Sequence, residues 1–221
     1  MTTLNTIPLR PLLDRLFAEA DAAAPASHPA LARLSAEERS ELMRSKAGYL
    51  DFYGYLKDLP LPVSRETGQL LYMLARGARA RTIVEFGTSF GISTLHLAAA
   101  LRDNGGGRLI TTEFEPSKVA RARANLASSG LIDLVELREG DALKTLSADL
   151  PEAIDLVLLD GHKALYNDVL DLVEGRLRPG AFVVADNADF SPDYLARVRD
   201  PAGGYMSTPF GGDVELSMRI R

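Results

Sequence analysis

Residues 81–99 read RTIVEFGTSFGISTLHLAA. Thr82 to Phe86 is a short β-branched and apolar run. It breaks at Gly87-Thr88-Ser89-Phe90-Gly91, and helix-forming content resumes over 92–99. Strand, glycine turn and helix in that order open a nucleotide-binding α/β sheet. Two glycines four apart let the backbone turn tightly, and the helix that follows points its free amides toward a nucleotide, a nucleoside or a carboxylate. The same loop also serves as a plain structural turn, so the rest of the chain decides.

Working outward, the pattern stays regular toward the C-terminus. Strands are predicted at 108–113, 133–138, 154–160 and 181–185, with helices at 116–126 and 166–177. Pro116 suits the first turn of a helix. The 154–160 run is nearly all apolar, as a central strand buried on both faces would be. Strands alternating with helices at this spacing make right-handed parallel crossovers. The tail changes character: a last helix over 193–198, then 205–209 and 213–220 around Gly211-Gly212 like a hairpin, the second arm alternating polar with apolar.

Toward the N-terminus, 12–24 suits a helix, and the stretch 22–29 with Pro25 and Pro29 reads as a flexible joint. Ser35 followed by Glu38 resembles a capping box for a helix running to about Leu56. Its broad apolar face, with Tyr49, Phe52 and Tyr53, covers the core, a ligand or a partner, a covering helix being the plain reading. Ser64 caps a further helix to about Arg76. The division expected is an N-terminal helical extension over 1–60 and a catalytic domain over 61–221.

The chain has 221 residues and 46% hydrophobic content, enough for one full core. Twenty-five basic against thirty acidic side chains leave a charge of −5 and no basic block, which gives no support to a nucleic-acid partner. There is no cysteine, hence no disulfide framework or thiolate metal site. No apolar run approaches membrane-spanning length, and the first residues lack a secretory pattern. The expectation is a cytoplasmic protein that does not meet membranes.

In an open α/β sheet ligands gather at the carboxyl ends of the strands. Those ends offer Glu85 with Ser89 and Ser93, then Glu113, Asp141, Asp160 and Asp186-Asn187. Like charges crowded there repel unless a ligand or cation compensates. Glu113, 22 residues beyond Gly91, is placed to accept hydrogen bonds from ribose hydroxyls. The G-x-G-x-x-G fingerprint is absent, which argues against NAD. Asp160, Asp186 and Asn187 offer hard oxygen ligands from neighbouring strand ends, favouring Mg²⁺, or alternatively Mn²⁺ or Ca²⁺; Asp186-Asn187 as a mere turn is the bland alternative. His28, His96 and His162 fall on separate elements, so zinc is not expected. Lys163 is either a proton acceptor beside the cation or an ordinary surface lysine. His162 is a base or a packing surface for a flat ring, and His96 is a packed or surface histidine.

The runs 83–94 (IVEFGTSFGIST), 155–163 (DLVLLDGHK) and 180–187 (GAFVVADN) resemble, in order, three motifs of the S-adenosylmethionine-dependent, metal-dependent O-methyltransferases related to the catechol and caffeoyl-CoA enzymes. The resemblance covers 64–187 well and is weak before it. It implies a Rossmann-like class I methyltransferase fold: an α/β, seven-stranded, mostly parallel sheet with an antiparallel last strand, flanked by helices. It implies that Glu85 and the loop of Gly87, Ser89 and Gly91 contact the methionine part of S-adenosylmethionine, with Ser93 near its carboxylate. Glu113 would hold the ribose, Phe114 would flank the adenine and Asp141 would lie near its amino edge. His162 stands where a residue often stacks on adenine, and Asp160 borders the same cofactor. Asp160, Asp186 and Asn187 would hold a divalent cation, usually magnesium, with Lys163 as general base and Asp160 beside it in the catalytic step. Family members are often dimers, and the implied substrate is a small phenol or catechol. The competing readings are metal-independent methylation of another nucleophile, an NAD(P)-dependent oxidoreductase, and a non-catalytic cofactor-binding protein.

Overall fold

A computed structural model describes residues 2–23 and 32–221. Residues 24–31, which carry His28 and most of the expected joint, lie outside the described part. The strands are β1 (Thr82–Phe86), β2 (Arg108–Glu113), β3 (Val135–Glu139), β4 (Ile154–Leu159), β5 (Leu177–Ala185), β6 (Tyr205–Phe210) and β7 (Val214–Arg219). They form one sheet in the order β3-β2-β1-β4-β5-β7-β6. β1 to β5 pair in parallel, and β7 runs antiparallel to both β5 and β6. The expected seven-stranded sheet with a reversed last strand is therefore present. The chain leaves β1 for β2 on one side and returns to β4 on the other, so the carboxyl end of β1 is the switch point where a crevice opens.

Alternation along β1 sends Ile83 to one face and Val84 and Phe86 to the other. Ile83 joins Leu95, Leu97, Leu109 and Leu156, together with Leu9, Leu13, Leu16 and Phe17 of α1 (Leu9–Ala23). Val84 joins Ile110, Val157 and Val183, packed on Tyr166, Val169 and Val173 of α8 (Tyr166–Val173). The N-terminal helix thus shares a core with the sheet. α5 (Ile92–Asp103) is buried all round over its first ten residues, between the sheet and α4 (Arg65–Gly77). His96 lies in that layer, its Nδ1 2.8 Å from the Ile92 carbonyl oxygen, and burial lowers its pKa, so it is a packed neutral histidine.

The reciprocal capping box of Ser35 and Glu38 is present, and Ser64 caps α4 through the Thr67 amide. The single helix expected over 35–56 is instead two, α2 (Ala36–Arg44) and α3 (Tyr49–Tyr55). The chain breaks at Gly48, whose left-handed backbone (φ 71°) redirects α3. The helix expected to reach 177 stops at Val173 and finishes as a 3-10 turn, while β5 starts earlier than expected, at Leu177. The remaining helices are α6 (Pro116–Ser129), the one-turn α7 (Ala142–Thr145) and α9 (Pro192–Arg199). No helix of the described residues is long and apolar enough to cross a membrane.

Candidate active site

A cleft of ≈ 690 Å³ opens at the carboxyl ends of β1 to β4. Gly87, Ser89, Glu113, Phe114, Asp141, Asp160 and His162 all line it, so seven of the residues singled out in the sequence share one cavity. Gly87 is required by geometry: its φ is +100°, and a Cβ there would stand 2.7 Å from the Asp160 carbonyl oxygen. The β1 and β4 loops touch backbone to backbone at this point, and only glycine permits it.

The amides of the loop itself are engaged within the protein. Thr88 N donates to Thr112 O (3.1 Å), Gly91 N to Thr88 O (2.8 Å) and Ser89 N to Glu113 Oε2 (2.8 Å). These amides shape the wall rather than face a ligand. Gly91, with φ 89°, starts α5. Glu113 also accepts from Glu115 N at 3.0 Å, and burial raises its pKa against the pull of these donors.

Glu85 sits on the same face of β1 as Ile83, beneath α5, and is completely buried. It accepts from Ser93 Oγ (2.5 Å) and Thr94 Oγ1 (2.6 Å), and burial raises its pKa. It lies outside the main cleft; Ser93 lines a small adjoining depression that also reaches Ser89 and Asp160.

On the other side of β1, Asp160 and Asp186 directly follow the paired ends of β4 and β5. Burial and the Asp160 charge push Asp186 up to about 8. Burial raises Asp160 as well, opposed by Lys163, whose Nζ is 3.1 Å from Asp160 Oδ1. Lys163 is itself buried. Burial works to lower its pKa, but Tyr166, Asp160 and their neighbours hold it well above the ordinary lysine value. The surface-lysine alternative is thereby removed. Tyr166 donates to the Asp186 carbonyl oxygen at 2.6 Å, tying α8 to this corner. Asn187 follows in left-handed conformation, and its Nδ2 donates to Asp213 Oδ2 at 2.8 Å. Among the described residues no group of three or more His, Cys, Asp or Glu side chains is arranged to hold a metal ion. The five strand-end acids therefore divide into separate settings rather than one negative cluster.

The sequence leaves open whether the face of Tyr49 and Tyr53 covers the core, a ligand or a partner, and it gives Lys118 no functional signal. Tyr49 and Tyr53 of α3 close the cleft from the N-terminal side, which makes the covering helix a cover for the ligand cavity. Lys118 of α6 lies buried in the wall, where burial lowers its pKa against the attraction of Glu113. A lysine two residues into an amphipathic helix looks like solvated surface; only its tertiary position marks it.

A family model described as a methyltransferase domain matches residues 84–188. The catechol O-methyltransferase of Niastella koreensis is 36% identical over 130 residues, 58% of each chain. That of Sus scrofa is 31% identical over 172 residues, covering 74% of this chain and 91% of the pig protein. The match thus spans under two thirds of the bacterial relative and nearly all of the pig one. Among solved structures, the Streptomyces achromogenes O-methyltransferase TomG, involved in tomaymycin synthesis and crystallised with S-adenosylmethionine, superposes with a TM-score of 0.61. It is 29% identical, over 86% of this chain and 93% of TomG. With the switch-point cleft, the reversed β7 and these relatives together, the chain belongs to the O-methyltransferase family that includes the catechol O-methyltransferases.

Proposed function

We propose that the protein transfers the methyl group of S-adenosylmethionine to a hydroxyl of a small phenolic or catecholic acceptor, assisted by a divalent cation. The observation that carries this reading is the continuity of one cleft from Glu113 and Asp141 to Asp160. The first two acids suit a nucleoside and the third belongs to a buried carboxyl pair with a lysine. In this reading Glu113 accepts from the ribose hydroxyls, Asp141 takes the adenine amino group, and Phe114 and His162 bound the ring. Ser93, which lines the adjoining depression and is held from behind by the buried Glu85, is assigned to the methionine end.

The donor set beyond Asp160 suits a hard cation. Asp160 and Asp186 are a buried like-charge pair that a divalent ion would relieve, and Asn187 adds an amide from the next position. These three residues would hold magnesium, whose bound chemistry is to polarise an acceptor hydroxyl and lower its pKa. In the transfer the acceptor oxygen forms a bond to the methyl carbon as the carbon–sulfur bond breaks, and the hydroxyl proton departs. Lys163 Nζ, an ammonium paired with Asp160 at 3.1 Å in the resting protein, is assigned to take that proton after releasing its own to solvent, a loss that a cation held by Asp160 would promote. Fixing oxygen and methyl in line contributes roughly 7–11 kcal/mol in favourable cases.

A second reading, transfer without a cation, is favoured by one observation. Asp160 already pairs with Lys163, and the Asn187 amide with Asp213. Labelled-methyl transfer to a panel of vicinal diols and monophenols, with magnesium and then with EDTA, separates the readings. Turnover of diols that EDTA abolishes supports the first, and turnover indifferent to EDTA selects the second. No transfer to any member alongside intact donor binding overturns both.

A further inference from the structure

We propose that Tyr49 is a positioning residue for the adenine end of the donor: it fixes the His162 ring and the Asp141 carboxylate together, and so makes the N-terminal segment part of donor recognition. The inference rests on the donor reading above and adds to it a residue from outside the three sequence motifs.

His162 Nε2 lies 2.7 Å from the Ser45 carbonyl oxygen. A carbonyl only accepts, so Nε2 carries the proton and Nδ1 is the bare acceptor. Nδ1 is buried without a partner among the described residues. A ring held by one hydrogen bond is free to pivot about it, and here aromatic neighbours remove that freedom. Tyr49 lies nearly parallel to the imidazole, with centroids 5.0 Å apart and 13° between planes. Tyr53 meets it edge-on at 5.7 Å. The Tyr49 hydroxyl continues across the cavity and donates a long hydrogen bond of 3.4 Å to Asp141 Oδ1. That oxygen also accepts from Leu143 N at 3.0 Å. Asp141 is thus held through one oxygen, and no hydrogen bond among the described residues engages the other, which is left for a ligand donor such as an exocyclic amino group.

The segment that delivers Tyr49 is anchored beside the cleft. Lys46 pairs with Asp168 of α8 at 2.6 Å, and the left-handed Gly48 turns the chain so that α3 begins with Tyr49. Ser45, Lys46 and Tyr49 therefore grip three separate points of the sheet domain within five residues of sequence.

Calorimetric titration of the full chain with S-adenosylhomocysteine and with S-inosylhomocysteine tests the proposal. In the second compound the base amino group is replaced by a carbonyl, which Asp141 cannot accept from. Wild type is expected to prefer the adenine compound. Tyr49→Ala should weaken S-adenosylhomocysteine about tenfold, the loss of a stacked aromatic contact, and reduce the preference toward unity. Tyr49→Phe keeps the ring, so affinity should stay within about threefold while base preference falls, a readout that mere loss of packing would not move. Equal affinity and equal base preference in all three proteins would overturn the proposal and leave the donor reading standing. Failure of wild type to bind S-adenosylhomocysteine would overturn both.

Discussion

The Ser89 amide donates to Glu113 Oε2 at 2.8 Å, so the turn after β1 and the acid that ends β2 form one continuous wall. Glu113 also takes the Glu115 amide and is nearly buried. Glu113→Ala removes this acceptor and strands the Ser89 amide. Hydrogen bonds to a charged group are worth about 1.5–3 kcal/mol, so affinity for S-adenosylhomocysteine should fall roughly 10- to 150-fold. Asp160→Ala, on the far side of β1, should abolish methyl transfer with a smaller effect on that affinity. Calorimetry on the two variants checks the split, and equal affinity losses would refute it.

Gly87 and Gly106 have nearly the same φ, +100° and +103°, but different surroundings. A Cβ on Gly106 meets nothing within 4 Å, whereas one on Gly87 meets the Asp160 carbonyl oxygen. Gly106→Ala should therefore cost only the strain of its φ, on the order of 1–3 kcal/mol. Gly87→Ala adds a backbone collision between the β1 and β4 loops. Urea denaturation should rank it as the more destabilised, and only this variant should lose S-adenosylhomocysteine binding.

Asp155 closes the opposite, amino end of β1. Its Oδ2 accepts from the amides of Arg81 (2.7 Å) and Thr82 (2.9 Å), while Oδ1 pairs with Arg178. Burial works to raise its pKa, but Arg178 and the two amides hold it below the usual carboxylate range. A group depressed in the fold stabilises fully above its unfolded pKa and loses that contribution as pH falls through its folded value. Asp155→Asn should therefore lower the urea midpoint at pH 7, and the gap to wild type should narrow below about pH 4. A gap that widens on acidification would contradict the assignment.

Magnesium offers a test independent of turnover. If Asp160 and Asp186 hold the ion, saturation near 100 times its Kd should stabilise wild type by about 2.7 kcal/mol. Asp186→Ala should show no such rise in melting temperature. Equal stabilisation of both proteins would place the ion elsewhere.

Much of this molecule is legible in one dimension. β1 and β2 are β-branched runs bounded by glycine and charge, and they fall where the pattern puts them. Ser35 and Ser64 cap as their local chemistry requires, because a cap involves residues only three apart. The break at Gly48 escapes the pattern, since Leu42, Met43, Phe52 and Tyr53 read as one apolar face on either side of it. Their contacts draw on both helices at once. The cleft wall is legible where it follows strand ends, as at Glu113, Asp141 and Asp160. Tyr49 and Lys118 are not, because their roles come from neighbours far along the chain. Tyr49 reaches Asp141 across 92 positions, a distance that periodicity does not record.

The strand order places β2 and β3 on one flank of β1 and β4 and β5 on the other. In the proposed reading the ribose contact of Glu113 lies on the β2 side and the carboxyl pair on the β4 and β5 side, while His162, after β4, reaches back to the adenine end. Exchanging the segment beyond Asn187 for that of a relative would then be a route to new acceptors, with His162 and the nucleoside contacts carried along intact as a reusable chassis.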